Sequence, residues 1–257
     1  MTTFQEALTI CDCCGNESKQ PEVSSCSSCG CDLDTRRHHY GFDPIYLYIK
    51  QCPSCGYCAY ELNEYTIMLG KAMDETGKRL IKEKTVKIKE IVGSETYQAQ
   101  LKDTSWPQAA DKYYCSSLIY EQIGELETAA SSCHKAAWIC DDIGDQQSSV
   151  FFRIRTAELF TRLIEGDNKI APGNLASLKL IITDLYRRAG EFEKAKKVLN
   201  SIIETNSIEK LEEVCEIMSS LVQSKNTTVK SFDDYHSFKR SKEKDEPGES
   251  TRTQLPF

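Results

Sequence analysis

The sequence lacks a long apolar run: nowhere in its 257 residues do about 18 consecutive apolar residues occur. A membrane-spanning helix is therefore not expected. The first ten residues, MTTFQEALTI, also lack a basic stretch followed by an apolar one. This pattern predicts no export signal, and hence a cytoplasmic protein.

Positive charge is also scarce. The chain has 32 Lys and Arg against 39 Asp and Glu, which gives a formal net charge of −7. General nucleic-acid binders usually carry a basic surplus, so the charge balance disfavours that class. It suits a soluble protein that stays dispersed.

The motifs of common catalytic sites are absent as well. The sequence contains no Gly-rich phosphate loop, no H-E-x-x-H and no G-x-S-x-G. His134 directly follows Cys133, but neighbours on a helix point in different directions, so the two make a poor catalytic dyad. The sequence therefore predicts a protein that is not an enzyme.

Cysteine, in contrast, is abundant: there are 13, and nine of them lie between positions 11 and 58. Without an export signal, clustered cysteines are more often metal ligands than disulfides. Two thiolates with C-x-x-C spacing on a tight turn can bind one tetrahedral Zn²⁺ with bonds of about 2.3 Å, and two such turns form a zinc ribbon. Three pairs have this spacing: Cys11 and Cys14, Cys26 and Cys29, and Cys52 and Cys55.

Spacing alone leaves open which pairs share an ion. The outer pairs, Cys11 with Cys14 and Cys52 with Cys55, are favoured because a Gly follows each and they flank the β-prone PIYLYIKQ at 44–51. The middle pair also precedes a Gly. Cys26 and Cys29 are therefore an alternative pair of ligands or, together with His38 and His39, part of a second site.

A redox role is the other interpretation of the middle pair, because a C-x-x-C thiol can have a lowered pKa. It is disfavoured, since the βαβ pattern of a thioredoxin-like dithiol is missing.

The cysteines outside the cluster lie on apolar helical stripes and are expected in the core as small hydrophobic residues. They are Cys115, Cys133, Cys140 and Cys215.

Composition predicts an α+β protein in four segments. Residues 1–62 form a Cys-rich, zinc-ribbon-like module, 63–103 a charged linker or helix, 104–222 an all-α domain, and 223–257 a polar, disordered tail. Within the second segment, residues 71–93 carry seven basic and four acidic side chains. A solvated helix face is favoured there over a nucleic-acid contact.

The helical segment contains an internal repeat. IYEQIGELETAASSCHKAAW at 119–138 aligns with LYRRAGEFEKAKKVLNSIIE at 185–204. This offset of 66 positions is close to two periods of about 34 residues, so the pattern resembles the tetratricopeptide repeat, with a degenerate unit at 151–164. The matched residues are Tyr120 and Tyr186, Gly124 and Gly190, and Ala129 and Ala195.

Four segments together resemble a bacterial family known as domain of unknown function 2225: CDCCG at 11–15, DLDTR at 32–36, CPSCGY at 52–57 and AAWICDD at 136–142. The resemblance covers roughly residues 8–165. It implies a metal-binding module joined to tetratricopeptide-like helices, without an established activity. By position it implies the ligands Cys11, Cys14, Cys52 and Cys55, and the middle pair departs from its pattern.

The charged residues of DLDTR have two interpretations. Asp32, Asp34 and Arg36 either form a polar site beside the metal, or Arg36 pairs with an Asp while the carboxylates cap turns. The structural interpretation is favoured.

These observations predict a zinc-stabilised interaction or scaffold protein. Four thiolates close the zinc shell and leave no position for an activated water, while helical repeats offer surfaces for a protein or peptide partner. Two alternatives remain. One is a zinc ribbon that contacts nucleic acid through Arg36, Arg37, Lys50 and residues 71–93, and the other is a redox sensor that uses Cys26 and Cys29.

Overall fold

The computed structural model describes residues 2–71, 73–166, 170–204 and 211–231. The greater part of the predicted polar tail, residues 232–257, lies outside these ranges.

Three antiparallel hairpins form the first part of the chain. Strand β1 (Thr3–Ile10) pairs with β2 (Glu17–Ser25), β3 (Ser28–Cys31) pairs with β4 (Arg37–His39), and β5 (Lys50–Gln51) pairs with β6 (Cys58–Ala59). Helix α1 (Ile45–Tyr48) lies between β4 and β5. The outer C-x-x-C segments are the turns of the first and third hairpins.

Helix α1 differs from the β structure expected over residues 44–51. The backbone N–H of Ile45 donates to the Asp43 carboxylate at 3.0 Å, and that of Tyr48 donates to the Pro44 carbonyl at 3.2 Å. Pro has a fixed φ that suits the start of a helix. The β-strand expectation is therefore wrong for residues 45–48, because local capping outweighs the β propensity of Ile and Tyr.

Helices dominate the rest of the described chain, as the sequence predicts. None of the helices in the described ranges combines the length and apolar character that crossing a bilayer requires. The helices after α1 are α2 (Glu64–Leu69), α3 (Glu75–Gly93), α4 (Glu95–Gln100), α5 (Gln108–Gln122), α6 (Leu126–Asp142), α7 (Gln146–Glu165), α8 (Pro172–Arg188), α9 (Phe192–Ile203) and α10 (Glu212–Gln223). The first three, α2, α3 and α4, lie in the predicted charged linker.

The turns after α5, α6 and α8 share one geometry. Each contains a glycine, Gly124, Gly144 or Gly190, with φ of +86°, +76° or +79°. The N–H that follows each glycine donates to the carbonyl five residues earlier at 2.8 or 2.9 Å. Glycine adopts this left-handed conformation at little cost, which ends each helix at the same point. The sequence repeat identified the first and third turns, and the middle turn was missed.

The tyrosines and alanines that match in the sequence repeat are buried. Tyr120 and Tyr186 are 1% and 8% exposed, and the aligned Ala129 and Ala195 are fully buried. The prediction that the scattered cysteines belong to the core is also confirmed. Cys115, Cys133, Cys140 and Cys215 are all buried.

The Cys-rich segment packs into the helices. Cys52 shares a cluster with Ile88 of α3, Ile45 lies in the large core formed with α5–α8, and Leu33 packs with residues of α8–α10. Among the described residues, each of these three clusters therefore joins the segment to helices.

The start of the predicted tail is also held in place. Arg187 donates to the carbonyl oxygens of Asn226 and Thr228, and the Leu33 N–H donates to the Lys230 carbonyl at 2.8 Å. The chain thus returns to the DLDTR loop. The expected disorder does not apply to residues 223–231.

Candidate metal centre

The outer C-x-x-C pairs meet in a four-sulfur cluster. The Sγ atoms of Cys11, Cys14, Cys52 and Cys55 all lie within 4.8 Å of one another. The distance from Cys11 Sγ to Cys55 Sγ is 3.8 Å, and that from Cys14 Sγ to Cys52 Sγ is 3.6 Å. Sulfur ligands about 2.3 Å from a tetrahedral ion lie roughly 3.8 Å apart. The cluster can therefore hold one tetrahedral metal ion.

The two turns that carry these ligands have matching backbones. Gly15 N–H donates to the Cys11 carbonyl at 2.8 Å, and Gly56 N–H donates to the Cys52 carbonyl at 2.9 Å. Both glycines are left-handed, with φ of +76° and +79°. Because only glycine adopts this conformation cheaply, the sequence C-x-x-C-G sets the turn that aims both thiols the same way.

Asp12 holds the first turn against α2, a role that the sequence analysis did not assign. Its carboxylate accepts hydrogen bonds from the N–H groups of Tyr65 at 2.8 Å and Thr66 at 3.2 Å, and from the Thr66 hydroxyl. The first N–H groups of a helix have no intrahelical partner and attract negative charge. An acidic residue between ligand cysteines thereby links the cluster to a helix.

Helix α4 holds the second turn. The Tyr97 hydroxyl donates to the Gly56 carbonyl at 3.0 Å, and the Gln98 amide donates to the Cys55 carbonyl at 3.3 Å. Leu101 lies directly against Gly56. The charged segment at 63–103 is therefore part of the support of the candidate metal centre.

Alanine substitutions at the two turn glycines should separate backbone strain from crowding. An added methyl at Gly56 would lie 2.3 Å from Leu101 Cδ1, whereas at Gly15 no heavy atom of the described residues lies within 4 Å. Both alanines carry left-handed strain of about 1–2 kcal/mol. We expect Gly56→Ala to lower the free energy of unfolding by about 1 kcal/mol more than Gly15→Ala, because Leu101 must move. Chemical denaturation measures both variants. Equal losses of unfolding free energy would contradict the close contact between Leu101 and Gly56.

Two of the ligand thiols, those of Cys11 and Cys14, have a raised pKa and so favour protonation in the absence of a cation. The hydrogen bond with Cys55, together with burial, raises the pKa of Cys11 well above the ordinary thiol range, and burial raises the pKa of Cys14. A metal ion is bound by thiolates, so its binding would release protons.

The middle pair lies outside the cluster. Cys26 and Cys29 are both exposed. His38, from the predicted second site, instead places Nε2 2.7 Å from Asp32 Oδ1. Within the described residues, the structure does not bring this pair and the two histidines together as a metal-binding group.

Asp34 of DLDTR lies where the Cys-rich segment meets the helices. Its carboxylate is 1% exposed, accepts a hydrogen bond from Trp138 Nε1 at 2.9 Å and pairs with Arg188. Burial opposes ionisation, but the imidazole of His134, with Nε2 3.6 Å from Asp34 Oδ2, and the positive charge of Arg188 together hold the pKa of Asp34 well below its usual range. Arg188 also pairs with Asp141 at 2.8 Å, which extends the ionic network to α6.

Arg36 is paired in the way that the structural interpretation of DLDTR predicts. Its guanidinium lies 3.1 Å from the Asp43 carboxylate and 2.8 Å from that of Asp142, and it donates to the Trp138 carbonyl at 3.3 Å. Trp138 and Asp142 belong to AAWICDD. Two segments that carry the family resemblance therefore contact each other.

The basic residues named in the nucleic-acid alternative differ in their surroundings. Arg36 is engaged as described, and Lys50 is 5% exposed and pairs with Glu61 at 2.5 Å. Arg37 is exposed and forms no ion pair with any described residue. Of these three cations, Arg37 is the one that has no ionic partner in the part of the chain that the structure describes.

A comparison with family models assigns most of the chain to one family. A family model described as "Uncharacterized protein conserved in bacteria (DUF2225)" matches residues 4–224, which extends the sequence resemblance through α10. No curated protein and no solved structure matches the chain.

Proposed function

Since the chain belongs to the DUF2225 family of conserved bacterial proteins, we propose that it is a zinc-stabilised protein-interaction or scaffold protein of the bacterial cytoplasm. The observation that carries the proposal is the convergence of four cysteine Sγ atoms within 4.8 Å on two matching turns. The reducing cytoplasm keeps such thiols available for a metal.

The donor set suits zinc in a structural role. Thiolate ligands favour soft or borderline metals, and an all-cysteine tetrahedral set is typical of structural zinc. A catalytic zinc usually keeps a fourth position for water, whereas Cys11, Cys14, Cys52 and Cys55 fill all four. The metal would contribute folding energy and no chemistry.

An interaction role is supported by the form of the helical part and by one exposed face. The helix–turn–helix pairs around Gly124 and Gly190 carry the sequence pattern that resembles the tetratricopeptide repeat, and repeats of this kind commonly bind peptides. Alternate residues of a strand share a face, and Phe4, Leu8 and Ile10 of β1 are 59%, 63% and 56% exposed. An exposed apolar strip of this kind is typical of a protein-binding surface.

The proposal is tested by affinity capture from the cells that encode the chain. The full-length protein is compared with the double variant Phe4→Ser/Leu8→Ser, and the zinc content of both is measured by elemental analysis. Because both side chains are exposed, we expect the variant to keep its zinc and its fold. We expect the wild-type protein to capture a defined set of proteins that the double variant does not capture. The same set on both baits, or no zinc in the wild type, would contradict the proposal.

A further inference from the structure

A cavity of about 340 Å³ lies between the Cys-rich segment and α6–α8. Arg36, Arg37 and Tyr48 line one side, and His134, Lys135 and Trp138 of α6 line the other. Small-molecule sites in proteins commonly have volumes of about 300–1,000 Å³. The described residues that line it include none of the four cluster cysteines, so the cavity is separate from the candidate metal centre.

The charges on the lining are mostly positive. The acidic residue among the described lining residues is Asp43, and it is already paired with Arg36. Arg37 forms no ion pair with a described residue. The same holds for Lys135, whose Nζ donates to Ser131 Oγ at 2.8 Å. Among the described residues, neither cation has an ionic partner, so both can attract an anion.

Two buried nitrogen atoms of the lining have no hydrogen-bond partner among the described residues. His134 is 4% exposed, and its Nε2 makes no hydrogen bond to any described residue, with Asp34 Oδ2 3.6 Å away. His39 Nδ1 is buried and unpartnered among the same residues. An unsatisfied buried polar group costs about 1–3 kcal/mol, so such groups are uncommon unless something else satisfies them.

The backbone next to these groups is strained. Thr35 also lines the cavity and has a φ of +72°, an outlier for a β-branched residue. Strain of this kind persists where the surrounding structure enforces it, and it is concentrated at ligand-binding sites. It is a further observation at the same place that points to a ligand.

We propose that this cavity binds a small organic anion, in which a carboxylate or phosphate group is attached to an aromatic or other apolar body. Arg37 and Lys135 supply charge-assisted contacts to the anionic group. Trp138, Tyr48 and Phe160 supply the apolar wall for the body. The inference does not rest on the zinc or on a protein partner.

Binding is tested by isothermal titration calorimetry on the full-length, metal-containing protein. The probes are phenyl phosphate and benzoate, and benzyl alcohol is the uncharged control. We expect saturable 1:1 binding of at least one anion, and the anion that binds identifies the group the cavity accepts. No binding of either anion, or equal binding of benzyl alcohol, would overturn the proposal.

Charge-removing variants locate the site. Arg37→Gln and Lys135→Gln should each weaken binding of the anion about tenfold or more, since each removes one charged contact. Neither side chain forms an ion pair with a described residue, so we expect both variants to fold as the wild type does. Arg79→Gln is the matched control. Arg79 is an exposed arginine on α3, and it is not one of the described residues that line the cavity. Undiminished affinity in both cavity variants would place the anion elsewhere.

Discussion

Cys52→Ser is expected to reduce the zinc content of the purified protein from one ion per chain to near zero, and to lower its melting temperature by about 10 °C or more. Structural zinc contributes several kcal/mol to folding in small metal-binding domains. In a domain of about 150–250 residues, each kcal/mol shifts the melting temperature by roughly 2–4 °C. A loss of about 4 kcal/mol therefore gives the expected shift.

The position of Cys52 explains the size of this effect. Its side chain is 1% exposed, and its Sγ lies 3.6 Å from Cys14 Sγ in the four-sulfur cluster. A serine hydroxyl is a poor substitute for a thiolate ligand, and a buried hydroxyl without a hydrogen bond is itself destabilising. The turn that holds Cys52 also contacts α4. Loss of the metal ion would therefore also weaken the packing of this turn against the helix.

The matched control is Cys26→Ser, the same chemical change in the exposed middle pair. We expect its zinc content and melting temperature to equal those of the wild type. Elemental analysis, free-thiol titration and calorimetry give the three measurements. Zinc lost from Cys26→Ser, or retained in Cys52→Ser, would assign the ion to other ligands. A wild-type protein without zinc and with missing thiols would favour disulfide chemistry, and with it the redox alternative for Cys26 and Cys29.

The contrast between these pairs shows what the sequence can predict. Each turn of the cluster is local, because C-x-x-C-G determines the backbone within five residues. The choice of partner turn is not local, since Cys14 and Cys52 are 38 positions apart. The middle pair has the same spacing and a following Gly, yet Cys26 lies between β2 and β3, Cys29 lies within β3, and both stay outside the cluster. A spacing rule alone does not separate the two cases.

The ionic network of Asp34 is harder still to predict. Its partners Trp138 and Arg188 lie 104 and 154 positions away in the chain. No local periodicity reports such contacts. The family resemblance named both DLDTR and AAWICDD, but only the structure shows that they meet. The same limit applies to α1, where a carboxylate cap and a proline override the β propensity of the residues that follow.

Besides the three apolar clusters, the described residues form two separate links between the Cys-rich segment and the helices. One is the four-sulfur cluster, supported by α2 and α4. The other is the network in which Asp34 and Arg36 contact α6 and α8. Because the second link contains no metal ligand, it is expected to persist when zinc is removed. The two links can therefore be weakened independently.

Asp34→Asn should weaken the second link and lower the free energy of unfolding by about 3 kcal/mol, since breaking one partner of a buried ion pair commonly costs 3–5 kcal/mol. The lower end applies because Arg188 keeps its contact with Asp141. The control is Glu6→Gln in an exposed pair with Lys19, with an expected loss below about 1 kcal/mol. Urea denaturation of zinc-containing protein measures both, and equal losses would contradict the role of Asp34.

The pH dependence gives a second test of the same residue. Since the pKa of Asp34 is lowered in the folded state, its carboxylate contributes stability above its unfolded pKa of about 3.9 and loses that contribution as the pH falls towards the lowered folded pKa. The stability difference between wild type and Asp34→Asn should therefore be full at neutral pH and shrink in acid. Zinc is released from both proteins in acid, so it cancels in the difference. A difference that stayed constant down to pH values of about 2 would mean that the carboxylate charge is not what Arg188 requires.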